Sequence, residues 1–240
     1  MRILDSGLLY KNITGRQKQL METGHVGRCE IIVRQNGTKV FHESFGCEKN
    51  LLYRLASMTK PVTAAAVLSE VQRGRLSLED KVSKFLKGFA NQYVGTLDEN
   101  GNVIPKEKVR NEITVKMLLN HTSGLLSDIG GPGEAQERDM TAEDRKNLTT
   151  VTNYFEHVLL SFQPGETAFY SATGAFDAAA RIVELTSGMP FNEYIDQYIM
   201  KPLGISDITF VPSEEQWGRM SQMHYFDGQK VWYEDTGRTI

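Results

Sequence analysis

One serine in the chain is followed three places later by a lysine, in Ser57-Met58-Thr59-Lys60. A serine hydroxyl near its own pKa is a poor nucleophile and needs a neighbouring base. Residues three apart on a helix share a face, so Lys60 can reach the Ser57 oxygen. A partly buried lysine near a helix N-terminus is pushed toward its neutral form, which accepts a proton. The same helix end aims backbone N–H groups at an oxyanion forming beside the serine. The pattern alone also suits a serine that merely caps a helix, and both readings stand at this level. A second cluster runs from Phe162-Gln163-Pro164-Gly165-Glu166 to Phe169-Tyr170-Ser171-Ala172-Thr173-Gly174. Beside an ammonium, Tyr170 would have a depressed pKa and could act as base or proton shuttle. Without such a neighbour it reads as an ordinary core tyrosine ahead of a helix.

The elements that must position these residues follow from local pattern. Leu55 to Arg73 reads as a helix with Pro61 near its first turn, an apolar Ala64–Leu68 run and Gly74 as the stop. Being apolar on most sides, it is expected to be buried. A hairpin is predicted from Glu30–Gln35 and Thr38–Glu43 around Asn36-Gly37, because both turn residues tolerate positive φ. Further helices are expected at about 8–22, 114–120 with Thr114 as N-cap, 149–160, 172–186 and 190–200. Residues 95–110 read as loop or a small hairpin. Residues 127–147 read as a surface excursion with one helical turn after Thr141. Strand character returns at Ile208–Val211 and near Val231–Tyr233.

Composition narrows the function classes. The 240 residues carry a net charge of −3, with 40% hydrophobic and 24% charged residues, as in ordinary soluble domains. No basic patch points to nucleic acid, and no apolar run approaches the eighteen or so residues of a membrane span. The opening Met1–Gly7 lacks the apolar core of a secretory signal, so the sequence reads as cytoplasmic. Cys29 and Cys47 are too few for a zinc set or disulfide scaffold. They flank the hairpin and could face each other, but two separate buried thiols is the reading preferred. No His-Glu-x-x-His occurs, and no metal or other cofactor is expected. The absence of Gly-x-Ser-x-Gly argues against an α/β-hydrolase elbow.

Several islands together carry a resemblance. Leu55-Ala56-Ser57-Met58-Thr59-Lys60 resembles the nucleophile motif of the serine β-lactamase-like superfamily, in the branch of class C β-lactamases, DD-peptidases and related esterases. Gly74–Asp80, Leu119-Asn120-His121-Thr122-Ser123-Gly124-Leu125, Phe162–Glu166, Tyr170-Ser171-Ala172 and Lys201–Ile205 fit further family segments, in family order. The resemblance implies an α/β (α+β) fold in which an antiparallel sheet is flanked by helices and joined by a helical subdomain. The expected division is 1–85 for the first part of the α/β subdomain, 86–205 for the helical subdomain, and 206–240 for an incomplete return to the sheet. It implies acylation of Ser57, deprotonation assisted by Lys60, and Tyr170 as general base and acid, with the Ser57 N–H as one oxyanion donor. The implied role of His121 is to shape its loop.

Two departures qualify the resemblance. Ala172 stands where the family's Tyr-x-Asn motif has asparagine, and an alanine side chain bonds neither a substrate amide nor the lysine. No Lys-Thr-Gly or His-x-Gly follows Tyr170, since Asp227-Gly228 and Thr236-Gly237 lack the preceding Lys or His. The chain therefore reads as truncated at its C-terminus, with strands absent and an unfinished sheet open to self-association. The expected activity is acyl-enzyme hydrolysis of a small ester, amide or β-lactam, esterase-like or β-lactamase-like. The alternative is an impaired remnant or binding module that keeps the pocket without turnover.

Overall fold

The hairpin expected around Asn36-Gly37 forms as β1 (Cys29–Gln35) and β2 (Thr38–Phe45), antiparallel, with φ of 50° at Asn36 and 78° at Gly37. Those angles are the ones a two-residue turn needs to match strand twist. The structure is a computed structural model that describes residues 5–234; the expected features in Met1–Leu4 and at Thr236-Gly237 lie outside them. The described residues fall into two units, one running to Arg54 and resuming at Phe210, the other Leu55–Thr209.

In the first unit, α1 (Ser6–Glu22) begins with Asp5 accepting the Leu8 N–H at 3.0 Å and packs on β2, with Tyr10 and Phe41 rings 5.9 Å apart. Cys29 and Cys47 are free thiols, as expected, but half-buried rather than buried, and the Cys47 thiol lies 3.6 Å from the Cys29 carbonyl. Residues 208–211 form no strand: Pro212 follows, and none of the described strands pairs with them. Instead α8 (Glu214–Gly218) leads to β5 (Met223–Phe226), which pairs with β6 (Val231–Glu234).

In the second unit the expected Leu55–Arg73 helix divides. A tight 3₁₀ turn spans Ala56–Thr59, and α2 proper runs Lys60–Gln72. Pro61 has no N–H to give the Ser57 carbonyl, so that carbonyl is met only from Lys60, three residues on. Residues 95–110 are a hairpin, β3 (Tyr93–Leu97) with β4 (Val103–Lys108), and Pro105 sits beside its bulge. Thr114 caps α3 (Val115–Leu119), as expected.

The excursion after Ser127 contains an unexpected helix, α4 (Pro132–Asp139). Asp128 accepts from the Gly133 and Glu134 N–H groups at 2.9 Å each, and this distant cap starts the helix in a stretch whose glycines read as loop. α5 stops early, at Leu148–Phe155. α6 (Gly174–Ser187) and α7 (Phe191–Ile195) follow, the latter continuing into a wider π turn over Asp196–Met200.

The core of this unit is α2 packed on α6, with Ala66, Val67, Ala178 and Ala179 fully buried. Small side chains on both helices permit close approach. Buried Glu70 ties them together. It receives Arg75 in two bonds (2.8 and 2.5 Å), Thr186 from α6 at 2.9 Å and Tyr194 from α7 at 2.6 Å. Every oxygen lone pair that burial would orphan thus has a donor.

Candidate active site

Two loops brace the Tyr170 segment. Asn120–Gly124 runs beside Ser161–Phe169, with bonds from Ser161 N–H to Gly124 O (2.7 Å), Gly165 N–H to Thr122 O (2.8 Å) and Phe169 N–H to His121 O (3.0 Å). Gly124 has φ of 76°, and a Cβ there would stand 2.4 Å from the Phe162 carbonyl oxygen, so only glycine allows the approach. Two motif islands that look unrelated in sequence are therefore two sides of one clasp.

The clasp delivers Tyr170 to the start of α2. Its hydroxyl donates to Ser57 Oγ at 2.5 Å, and Lys60 Nζ donates to the same oxygen at 3.2 Å. Lys60 Nζ also donates to the Ala172 carbonyl at 2.6 Å and lies 4.8 Å from the centre of the Tyr170 ring. Ser57 and Lys60, paired by their spacing, and Tyr170, which the resemblance adds, thus share one set of contacts. The Ala172 side chain takes no part, but its carbonyl occupies the lysine. Ala56, just before the serine, has φ of 46°, a strained value for a residue with a Cβ. The Ser57 side chain that follows is exposed, as is that of Tyr170.

Electrostatics follow from these distances. The Lys60 ammonium, and then the Ser57 hydroxyl, hold the Tyr170 phenol below its ordinary pKa, which favours a phenolate able to take a proton. His121 lies against Tyr170 with ring centres 4.8 Å apart and against Phe176 at 5.4 Å. Burial, and then the Lys60 charge, keep its pKa low. Asp177, one residue past Phe176 on α6, is pushed up to about 6 by burial, with Glu137 adding to the rise and Lys60 and Arg145 opposing it.

Sequence spacing did not single out Phe176 or Asp177. Their only signal is position on the first turn of the helix after Tyr170, which is indistinct from core. A hollow of about 420 Å³ lined by residues including Phe89, Lys108, Arg110 and Met117 contains none of Ser57, Lys60 and Tyr170. Among the described residues, no three His, Cys, Asp or Glu side chains group as a metal set, and no helix is long and apolar enough to cross a membrane.

Comparison with known proteins shows the family and the fold. The family described as Beta-lactamase matches residues 14–237. Penicillin-binding protein 4* of Bacillus subtilis is 30% identical over 186 residues, covering 74% of this chain and 36% of that protein. Among solved structures, EstCE1, a hydrolase with promiscuous acyltransferase activity, superposes with a TM-score of 0.77 at 20% identity, covering 95% of this chain and 60% of its own. Simvastatin synthase from Aspergillus terreus gives 0.74 at 24% identity, covering 98% and 61%. The chain spans about half the length, or less, of the curated relatives it matches, at 54% and 36%.

Proposed function

Because this chain belongs to the Beta-lactamase family, whose members are usually serine hydrolases or acyltransferases, we propose that it forms an acyl-enzyme at Ser57. The observation that carries this reading is the convergence of the Tyr170 hydroxyl and the Lys60 ammonium on Ser57 Oγ, at 2.5 and 3.2 Å. With Tyr170 as phenolate the sense of its bond reverses, and it takes the serine proton as Oγ attacks the substrate carbonyl. The C–O bond forms, the carbonyl π pair moves to oxygen, and the Ser57 N–H is one donor to that oxyanion. On collapse, the leaving group departs with the proton Tyr170 carried. Water or an alcohol then repeats the sequence in reverse order and frees the serine. Lys60 remains the cation that stabilises the phenolate throughout.

An ester is the substrate class best supported. The Ala172 side chain offers nothing to a substrate amide, which weighs against peptides and β-lactams. The fold neighbours named as a hydrolase with acyltransferase activity and as a synthase are in keeping with ester chemistry. The same alanine favours a second reading, a binding module without turnover. Among the described residues the strands of β1–β2 and β5–β6 each have one strand partner, which favours self-association of the chain.

Labelling with a fluorophosphonate separates the two functional readings. Modification that maps to Ser57 and vanishes in Ser57→Ala is expected. A chain that stays unlabelled while folded supports the binding module instead.

A further inference from the structure

We propose that His121 is the positioning residue that holds the Tyr170 phenol on Ser57, by gripping the main chain on both sides of the tyrosine. The proposal rests on the reading of Tyr170 as proton carrier. The His121 carbonyl accepts the Phe169 N–H at 3.0 Å, and its ring Nδ1 accepts the Ser171 N–H at 3.1 Å. The residues immediately before and after Tyr170 are thus bonded to a single side chain and its own backbone. Ser171 is fixed further, since its hydroxyl donates to the Leu125 carbonyl at 2.8 Å and accepts the Ala175 N–H at 3.1 Å. What freedom remains to the phenol is rotation about its own side-chain bonds. The imidazole ring limits that too, lying 4.8 Å away at 42° and backed by Phe176 at 5.4 Å.

The grip requires a particular protonation state. Nδ1 can accept a bond only when it carries no proton, so the ring must be neutral with its proton on Nε2. Two titratable groups face the ring, Lys60 from α2 and Tyr170 itself, and Asp177 follows on α6. Burial and the Lys60 charge both oppose a second proton on the ring, so the bare Nδ1 persists at neutral pH. The backbone adds its own restriction: His121 has φ of 60°, a value that asparagine and glycine adopt most readily.

That restriction supplies the variants. His121→Gly keeps the positive φ and the carbonyl bond to Phe169 but removes Nδ1. His121→Asn keeps the φ and presents Oδ1 to the Ser171 N–H in place of Nδ1. Tyr170 ionisation is read from near-ultraviolet phenolate absorbance, as the difference between each protein and the same protein carrying Tyr170→Phe. In the parent chain Tyr170 is expected to titrate below the ordinary phenol range. In the glycine variant it should return to that range, and in the asparagine variant stay low. Labelling of Ser57 by a fluorophosphonate should fall by about 10²-fold with glycine, the loss a small misplacement brings, and recover with asparagine.

A folded glycine variant with unchanged Tyr170 titration overturns the proposal. Because that titration needs no turnover, a chain that never labels would sink the hydrolase reading while leaving His121 decided by absorbance. If the glycine variant does not fold, nitrogen-15 NMR of the unaltered chain decides: a proton on Nε2 and a bare Nδ1 at pH 7 is required, and a protonated Nδ1 overturns the proposal.

Discussion

Lys60 bonds the Ser57 oxygen and the Ala172 carbonyl and lies over the Tyr170 ring, and the proposed chemistry depends on its serving the serine and the phenol together. Lys60→Met keeps the side chain's length and removes the charge. The rate of Ser57 labelling should then drop by roughly 10²- to 10⁴-fold, the usual contribution of a positioned proton-transfer system, and the Tyr170 titration should move up. An unchanged titration would show that the depressed phenol has another cause. In the parent chain, labelling should rise with pH as Tyr170 passes to phenolate, at a pH below the ordinary phenol range. Asp177 supplies a second test of the local field. Its folded pKa, raised to about 6, exceeds the unfolded value, so ionisation is disfavoured in the fold and stability falls as pH rises through that window. Asp177→Asn should therefore melt higher than the parent at pH 8, with the gain gone at pH 3.5. A variant that melts lower at pH 8 would contradict the sign.

At the scale of elements, the α2–α6–α7 contact holds α2 steady, and Glu70 is its polar centre. Burial raises the carboxyl's pKa, but bonds from Arg75, Tyr194 and Thr186 outweigh it and leave the value low. A depressed carboxyl stabilises the fold above its unfolded pKa and loses that contribution as pH falls. Glu70→Ala should reduce stability by about 3 kcal/mol at neutral pH, the order expected when one partner of a buried pair is removed, with the deficit shrinking in acid. Chemical denaturation at pH 7 and pH 3.5 measures both. Gly124→Ala should disrupt the clasp that carries Tyr170, since its methyl would meet the Phe162 carbonyl at 2.4 Å.

The elements also show what local sequence carries. The Asn36-Gly37 hairpin and the Thr114 cap were legible because their geometry is decided within a few residues. α4 was not, because its cap is Asp128, outside the helix and reached across a Gly-Gly-Pro-Gly stretch. The Ile208–Val211 stretch has strand composition, but none of the described strands pairs with it, and pairing is not a property of one segment. Ser57 and Lys60 were legible as a helical pair. Their meeting with Tyr170, 113 positions further along the chain from Ser57, depends on a clasp between loops, and only the motif resemblance anticipated it.

For the whole molecule, the described strands form three separate two-stranded sheets; the outer edge of β3 is met by Leu160 in two bonds of 2.8 Å, while β1, β2, β5 and β6 each pair with a single described strand, an arrangement that can recruit further strands. Sedimentation velocity should accordingly find species heavier than the 27.0 kDa chain, increasing with concentration; a single species at the monomer mass across that range would contradict this. The central claim, that Ser57 is acylated, is tested most directly by intact mass spectrometry during incubation with an activated ester such as p-nitrophenyl butyrate. The account predicts a gain equal to one butyryl group, mapped to the peptide containing Ser57, slowed by Tyr170→Phe and absent in Ser57→Ala. A folded chain that gains no mass, or gains it equally in the Ser57→Ala variant, would contradict it.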